Sequence, residues 1–525
     1  MGTARRPGRV QKIAYDATPM STGRPDIDAR IGWLLAMSRL HHRDPAMGDG
    51  RRFVQALADA GSSASRSLVS RWESGEIPVS YEGLLAYEQV LGLTPGELTS
   101  LAGYLRVAVP PTRDRVARPH LDPTNPAFAE RLDELLDGVE DGHAAPHDWQ
   151  ALGWHMAAAP LVHLRARSWE TLAHRLVNQL PRTVKVPRRQ VASAAMNIGA
   201  IPRAQEFLTD AIADYIAQPG VQVISQPVVF LDRLPTRGAA KMTLDLIEQE
   251  PTPGVFALAV WVATKKIQHG HFTPEERARL DMIVLQMWRR DPVSASERLA
   301  ELVASLPEGL RQTLTSAASK AGRSRLEYAV EMGEDFGPAT ARSLPRDLAA
   351  AARARVPQRP TYEDDRMLPR LVRESLFHRD SERRHLAALV LAASPFGDAL
   401  ADELLTLLAA PGCPVQVRSR AAMVMRAVCN DVHRLRMLRC LDDPQDDVGS
   451  YVVQGVGHLS FTHLSDQMLR TSLRGEFSTL ERSKLYALGM SGSPGLAAIS
   501  RSDGAPPWQR TAARWWLAQG SAILE

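Results

Sequence analysis

From Phe128 onward, apolar residues recur at three-to-four-residue spacing, in blocks that Pro or Gly interrupts about every 15 to 25 residues. Segments such as FAERLDELLDGV, SWETLAHRLVNQL, RAQEFLTDAIADYIA and EERARLDMIVLQMWRR each carry one apolar stripe and one polar face. A helix of this kind hides its stripe only against a neighbour, so the pattern calls for helices packed on helices. Strand periodicity is scarce, and VQVISQPVVF, residues 221–230, is the one stretch that reads as a strand. The expected fold class is all-α.

The last third is also self-similar. RHLAALVLA from Arg384, RSRAAMVMRA from Arg418, GSYVVQGVG from Gly449, RSKLYALGM from Arg482 and RTAARWWLA from Arg510 can be laid over one another, at successive offsets of 34, 31, 33 and 28 residues. Each is an arginine or glycine followed by a stripe of small apolar residues. A period of about 30 to 40 residues marks stacked helix pairs. The pattern resembles HEAT repeats, which implies a solenoid over 361–525. A non-repetitive helical bundle is the other arrangement that such alanine-rich helices allow. Trp149, Trp154, Trp515 and Trp516 are read as core or groove-lining residues.

At 525 residues the chain exceeds what one hydrophobic core serves, so several units are expected. No uninterrupted apolar run approaches the roughly 18 residues of a membrane span. The start, MGTARRPGRVQKIAYDATPM, is basic without an apolar h-region, so no secretory signal and a cytoplasmic location are expected. Cys413, Cys429 and Cys440 lack CxxC spacing and read as reduced, buried thiols. The net charge is +4, with lysine only at 12, 185, 241, 265, 266, 320 and 484; the remaining cations are arginines. Global charge of this size decides little about partners.

Residues 1–26 carry Arg5, Arg6, Arg9, Lys12 and Arg24 against Asp16 and Asp26 without apolar periodicity, and read as a flexible basic arm. Such an arm either follows a phosphate backbone or is an ordinary disordered terminus. Helical spacing then begins with Ile27, Ile31, Leu34, Leu35 and Leu40, capped by Asp26 or Asp28. After HHRDPAMGDG, the segment RRFVQALADAG gives a second helix with Phe53, Val54 and Leu57 inward and a stop at Gly61. Ser65 is placed to cap a third helix, Arg66 to Ser74, ended by Gly75 and Pro78. Ser80 caps a fourth with Leu84, Leu85, Tyr87, Val90 and Leu91, and Thr94 begins a fifth through Leu98, Leu101 and Leu105.

Five short helices with a small turn between the second and third have the helix-turn-helix layout. SRSLVSRWESG resembles the recognition helix of Cro and phage-repressor type DNA-binding domains, the XRE family, and LLAYEQVLGLTPGEL is similar to that family's fourth and fifth helices. The resemblance spans residues 27–106. Its most specific element is the spacing of Ser70, Glu73 and Gly75. It implies base-edge contacts from Arg66, Ser67 and Arg71, and a cap or phosphate role for Ser65 and Ser70. It also implies a structural pair between Glu73 and Arg39 and a core position for Trp72.

Residues 27–106 hold eight arginines and nine acids, a net −1. The resemblance implies that helices two and three face DNA, with Arg66 and Arg71 as readers of guanine O6 and N7, and Arg51 and Arg52 at a helix N-terminus as phosphate contacts. Solvated surface is the alternative reading of the same four.

No GxGxxG, P-loop, HExxH or GxSxG occurs, so no enzyme and no cofactor are expected. His143 and His147 in HAAPH lack a third ligand, and no metal site is expected there. Glu363, Asp364 and Asp365 read as a solvated turn. The expected layout is a basic arm over 1–26, a helix-turn-helix domain over 27–106, a linker over 107–126, a helical middle region over 127–360 for sensing or dimerisation, and HEAT-like repeats over 361–525. The expected function is a dimeric transcriptional regulator of double-stranded DNA, with a peptide, protein or small-molecule effector on the helical region and no membrane contact. The rival is a helical-repeat interaction scaffold whose DNA-binding domain only tethers or autoregulates.

Overall fold

The computed structural model describes residues 12–20, 24–109, 118–159, 163–250, 252–291, 299–303, 305–318, 320, 323, 338–356, 365–443 and 445–524. Among them the fold is all-α, with no strand; one isolated parallel bridge joins Thr183 to Ile523. No helix among the described residues is long and apolar enough to cross a membrane.

The chain forms two interleaved compact units. One comprises Met1–Pro119 and Phe336–Met437, the other His120–Asp335 and Leu438–Glu525. The residues expected to form HEAT-like repeats over 361–525 are divided between the two units.

The first unit opens with α1 (Ile27–Leu40), α2 (Gly50–Asp59), α3 (Arg66–Glu73), α4 (Tyr81–Val90) and α5 (Glu97–Ala108). Local chemistry sets most of these ends. Asp26 accepts from the Ala29 amide, Ser65 from Leu68 and Ser80 from Gly83, each a side-chain N-cap. Gly61 and Gly75 take positive φ at the ends of α2 and α3. The start of α5 differs from expectation. The helix begins at Glu97 rather than at Thr94, and its first-turn amides are capped by Glu88 of α4, which accepts from Leu98 and Thr99 at 2.7 and 2.8 Å.

α1 and α5 are enclosed almost all round, from Ala29 to Leu40 and at nearly every position from Leu98 to Ala108. Both pack on the helix Ser381–Ala393, where Tyr104 meets His385 edge to face at 6.3 Å. That helix pairs with Met367–Phe377 and belongs to a bundle completed by Pro338–Ala354, Gly397–Ala409 and Val415–Val428. Asp365 is buried at the entry to Met367–Phe377. It accepts from Trp33 Nε1 at 3.0 Å and from the Met367 amide at 2.9 Å, so it is a structural anchor and not part of a solvated turn. Glu363 and Asp364 lie outside the described residues.

The expected flexible arm is also corrected over 12–20. Ile13, Ala14 and Asp16 are buried against the first unit, because Asp16 finds a buried arginine partner in Arg30. Residues 1–11 lie outside the described residues. Of the expected linker, α5 takes up Val107 and Ala108, residues 110–117 lie outside the described residues, and Asn125 caps the helix Pro126–Asp141.

In the second unit, residues 221–230 hold a short helix, Ser225–Phe230, rather than a strand. Pro227 cannot donate to a ladder but is tolerated in a helix's first turn, whose amides have no intrahelical acceptor. The five self-similar segments fall on alternate helices: Ser381–Ala393, Val415–Val428, Asp446–Val456, Thr479–Met490 and Pro507–Gln519. The first two pack on each other in the first unit, and the last three pack successively in the second. Their small residues permit close approach, since Gly489 lies flat against the Trp516 indole. Trp149, Trp154, Trp515 and Trp516 are all buried, and Trp515 Nε1 donates to Gln218 Oε1 at 3.1 Å.

Candidate nucleic-acid interface

The surface of interest is built by α2, α3 and the turn between them. α3 is amphipathic in the strict sense: Val69, Trp72 and Glu73 are buried, while Ser65, Arg66, Ser67, Ser70 and Arg71 are exposed. α2 adds Arg51 and Arg52, both exposed at its N-terminal end, while Phe53 and Leu57 point inward and Val54 is half-buried. All seven residues expected at a DNA surface are therefore solvent-facing.

The buried side of α3 is held by contacts with each of α1, α2 and α4. Arg39 of α1 donates to both carboxylate oxygens of Glu73, at 2.6 and 2.7 Å, and the Tyr87 hydroxyl of α4 donates to the same carboxylate at 3.0 Å. Burial, then the Glu73 charge, pushes the Tyr87 phenol well above its ordinary range, so it stays a neutral donor. The Arg39 guanidinium lies over the Phe53 ring of α2 at 5.5 Å, and Phe53 meets Tyr87 edge to face at 4.8 Å. Arg39 also donates to the Gly48 carbonyl at 3.0 Å, which ties down the long α1–α2 connection. The resemblance supplied Arg39 and Glu73; Phe53 and Tyr87 complete the cluster, and only their aromatic character at inward positions hinted at it.

Gly32 and Gly75 let α1 and α3 touch backbone to backbone. A Cβ on Gly32 would fall 2.5 Å from the Trp72 carbonyl, and one on Gly75 would fall 2.8 Å from the Ala29 Cα. Gly75 is thus both a stop in the left-handed region, φ 71°, and a point of close packing.

Electrostatics separate the acids from the arginines. Asp28 pairs with Arg106, Glu73 with Arg39, Asp44 accepts from the Ala46 amide, and Glu88 caps α5. These four acids serve the interior or the helix ends, whereas Arg51, Arg52, Arg66 and Arg71 are exposed on α2 and α3, together with Asp59 at the end of α2 and Glu76 beyond α3. Asp49 caps α2 by accepting from the amides of Arg51 and Arg52 at 2.8 and 3.1 Å, and those amides hold its carboxyl below the ordinary range. The helix N-terminus is thus already occupied by an anion, and any phosphate contact there must come from the Arg51 and Arg52 side chains.

Arg71 donates to Glu76 at 3.0 Å, with side chains 47% and 62% exposed. A pair this exposed contributes about 0–1 kcal/mol, so a base or phosphate can displace Glu76 readily. No ion pair of Arg66 occurs among the described residues. No cluster of three or more His, Cys, Asp or Glu residues that could hold a metal ion occurs among the described residues; His147 is 72% exposed beside Asp148. No protein-family model matches the chain, and no curated protein shows significant similarity to it.

Proposed function

We propose that the chain is a sequence-specific DNA-binding transcriptional regulator in which α3 enters the major groove. One observation carries this reading: every polar and cationic residue of α3 that faces away from the core is exposed, Arg71 in a solvent-exposed pair with Glu76, while the opposite face is locked to three neighbouring helices. Arg66 and Arg71 read guanine through forked donors, a good bidentate pair discriminating by about 1–3 kcal/mol. Ser67 contributes a hydroxyl at a base edge. Arg51, Arg52 and Ser70 bind phosphate, and Ser65, its oxygen engaged with the Leu68 amide, offers its hydroxyl proton to a phosphate oxygen.

A single reader of this size covers few base pairs, so operators are inverted repeats with half-sites about one DNA turn apart, read by two chains. Because α1 and α5 are enclosed, the chains pair through surfaces outside those two helices. The helical remainder binds an effector. Selection of bound duplexes from a random pool tests the proposal. An enriched inverted repeat supports it; a chain that co-purifies with a protein partner and enriches no DNA sequence supports the scaffold reading instead.

A further inference from the structure

Residues 12–20 form a segment without helix or strand, held by side chains of α1 and of the hairpin of Met367–Phe377 and Ser381–Ala393 at Asp16, Thr18, Pro19 and Met20. Ile13 and Ala14 are buried. The Tyr15 ring lies beneath the guanidinium groups of Arg366 and Arg370, at 4.5 and 5.7 Å. Asp16, fully buried, accepts from Arg30 Nε at 2.8 Å through one oxygen, and through the other from the Thr18 amide and hydroxyl at 3.0 and 2.6 Å. Beyond Ala17, three successive carbonyls are each taken by a different side chain: Thr18 by Arg370 at 2.5 Å, Pro19 by Arg383 at 3.2 Å and Met20 by His378 at 2.8 Å. His378 Nδ1 accepts from the Asp380 amide, which fixes Nε2–H as the donor to Met20. Glu374 sits beneath and orients the donors, accepting from Arg30, Arg370 and Arg383 at 2.5, 3.2 and 2.7 Å.

We infer that α1 and this hairpin form a recognition groove for an extended peptide bearing an aromatic–acid pair, and that residues 12–20 are its occupant supplied in cis. Carbonyl capture gives the groove affinity independent of side chains, while the Tyr15 and Asp16 positions give it selectivity, a division of labour typical of extended-peptide recognition. The charge balance points the same way. Emptying the groove would leave Arg30 with Glu374 alone and strip Arg370, Arg383 and His378 of their main-chain acceptors, which is costly in a buried setting. A tether raises the local concentration of the resident segment to about the millimolar range, so a peptide of the same chemistry enters once the tether is cut or the resident weakened.

The test uses the full chain with a protease site inserted after Met20 and cut while folded, and a fluorescent synthetic peptide of residues 12–20 as the probe. The cut chain takes up the peptide saturably, the Asp16→Ala peptide binds more than ~10-fold more weakly, and the uncut chain binds either poorly because its groove is filled. If cutting melts the unit, added wild-type peptide restores its helical circular dichroism and the Asp16→Ala peptide does not. A second variant, the uncut Asp16→Ala chain, binds the wild-type peptide more tightly than the uncut native chain does. Uptake of neither peptide, uptake of both alike, or an uncut Asp16→Ala chain that gains no affinity overturns the inference.

Discussion

Gly32 has no room for a methyl group, because the Trp72 carbonyl occupies the place a Cβ would take. Gly32→Ala is expected to cost about 1–3 kcal/mol through forced separation of α1 and α3, read as a lowered urea midpoint with an unchanged m-value. Glu73→Gln leaves Arg39 buried beside a neutral group and is expected to cost about 3–5 kcal/mol in the same experiment. Acid gives a third residue-scale expectation. Burial alone would raise the Glu374 carboxyl, yet Arg30 and Arg383 hold it at about 2, below its ordinary 4.5. Burial, then Arg383, lowers His378 from 6.5 to about 4. Both groups therefore contribute stability that is complete above the ordinary value and is lost as pH falls toward the depressed one. The first unit is expected to weaken between pH 6.5 and 4 through His378, and between 4.5 and 2 through Glu374. His378→Gln should abolish the upper step in a series of urea midpoints against pH; an unaltered upper step contradicts the assignment. At this scale the spacing of Ser70, Glu73 and Gly75 is visible in the sequence, and the family resemblance adds Arg39. The sequence hides Arg30, Asp16 and Glu374, because residues 14 and 344 positions apart meet only after the chain has folded.

Among the elements, α3 is the most legible. Ser65 and Gly75 are local signals that act through the nearest few amides, so both ends can be read without tertiary knowledge. The start of α5 is not legible in the same way, because its cap is a carboxylate from α4. Glu88→Ala should cost about 0.5–2 kcal/mol and speed amide exchange first at Leu98 and Thr99, whereas uniform exchange along α5 would deny Glu88 its capping role. The segment 221–230 misleads because β-branched residues favour strands only where a pleated partner exists, and here a proline in a first helical turn decides. The strap at 12–20 carries no periodic pattern at all; its order comes from groups on other helices.

On the scale of the whole molecule, the all-α class and the alternation of self-similar helices follow from periodicity, while the interleaving of the two units does not. A five-helix domain with an exposed back and one whose back is sealed by a distant hairpin have the same local sequence signals. The difference lies in α1 and α5, enclosed on faces that an isolated domain would leave to water. The central claim is that guanidinium groups of α3 read bases while those of α2 hold phosphate. The most direct measurement is the full base-preference profile and salt dependence of operator binding for Arg66→Ala, Arg71→Ala and Arg51→Ala. Arg66→Ala and Arg71→Ala should each relax preference at one position per half-site, and Arg51→Ala should weaken all duplexes alike with a salt slope reduced by about 1. Equal, sequence-blind losses from all three, or no change from any, would contradict the account.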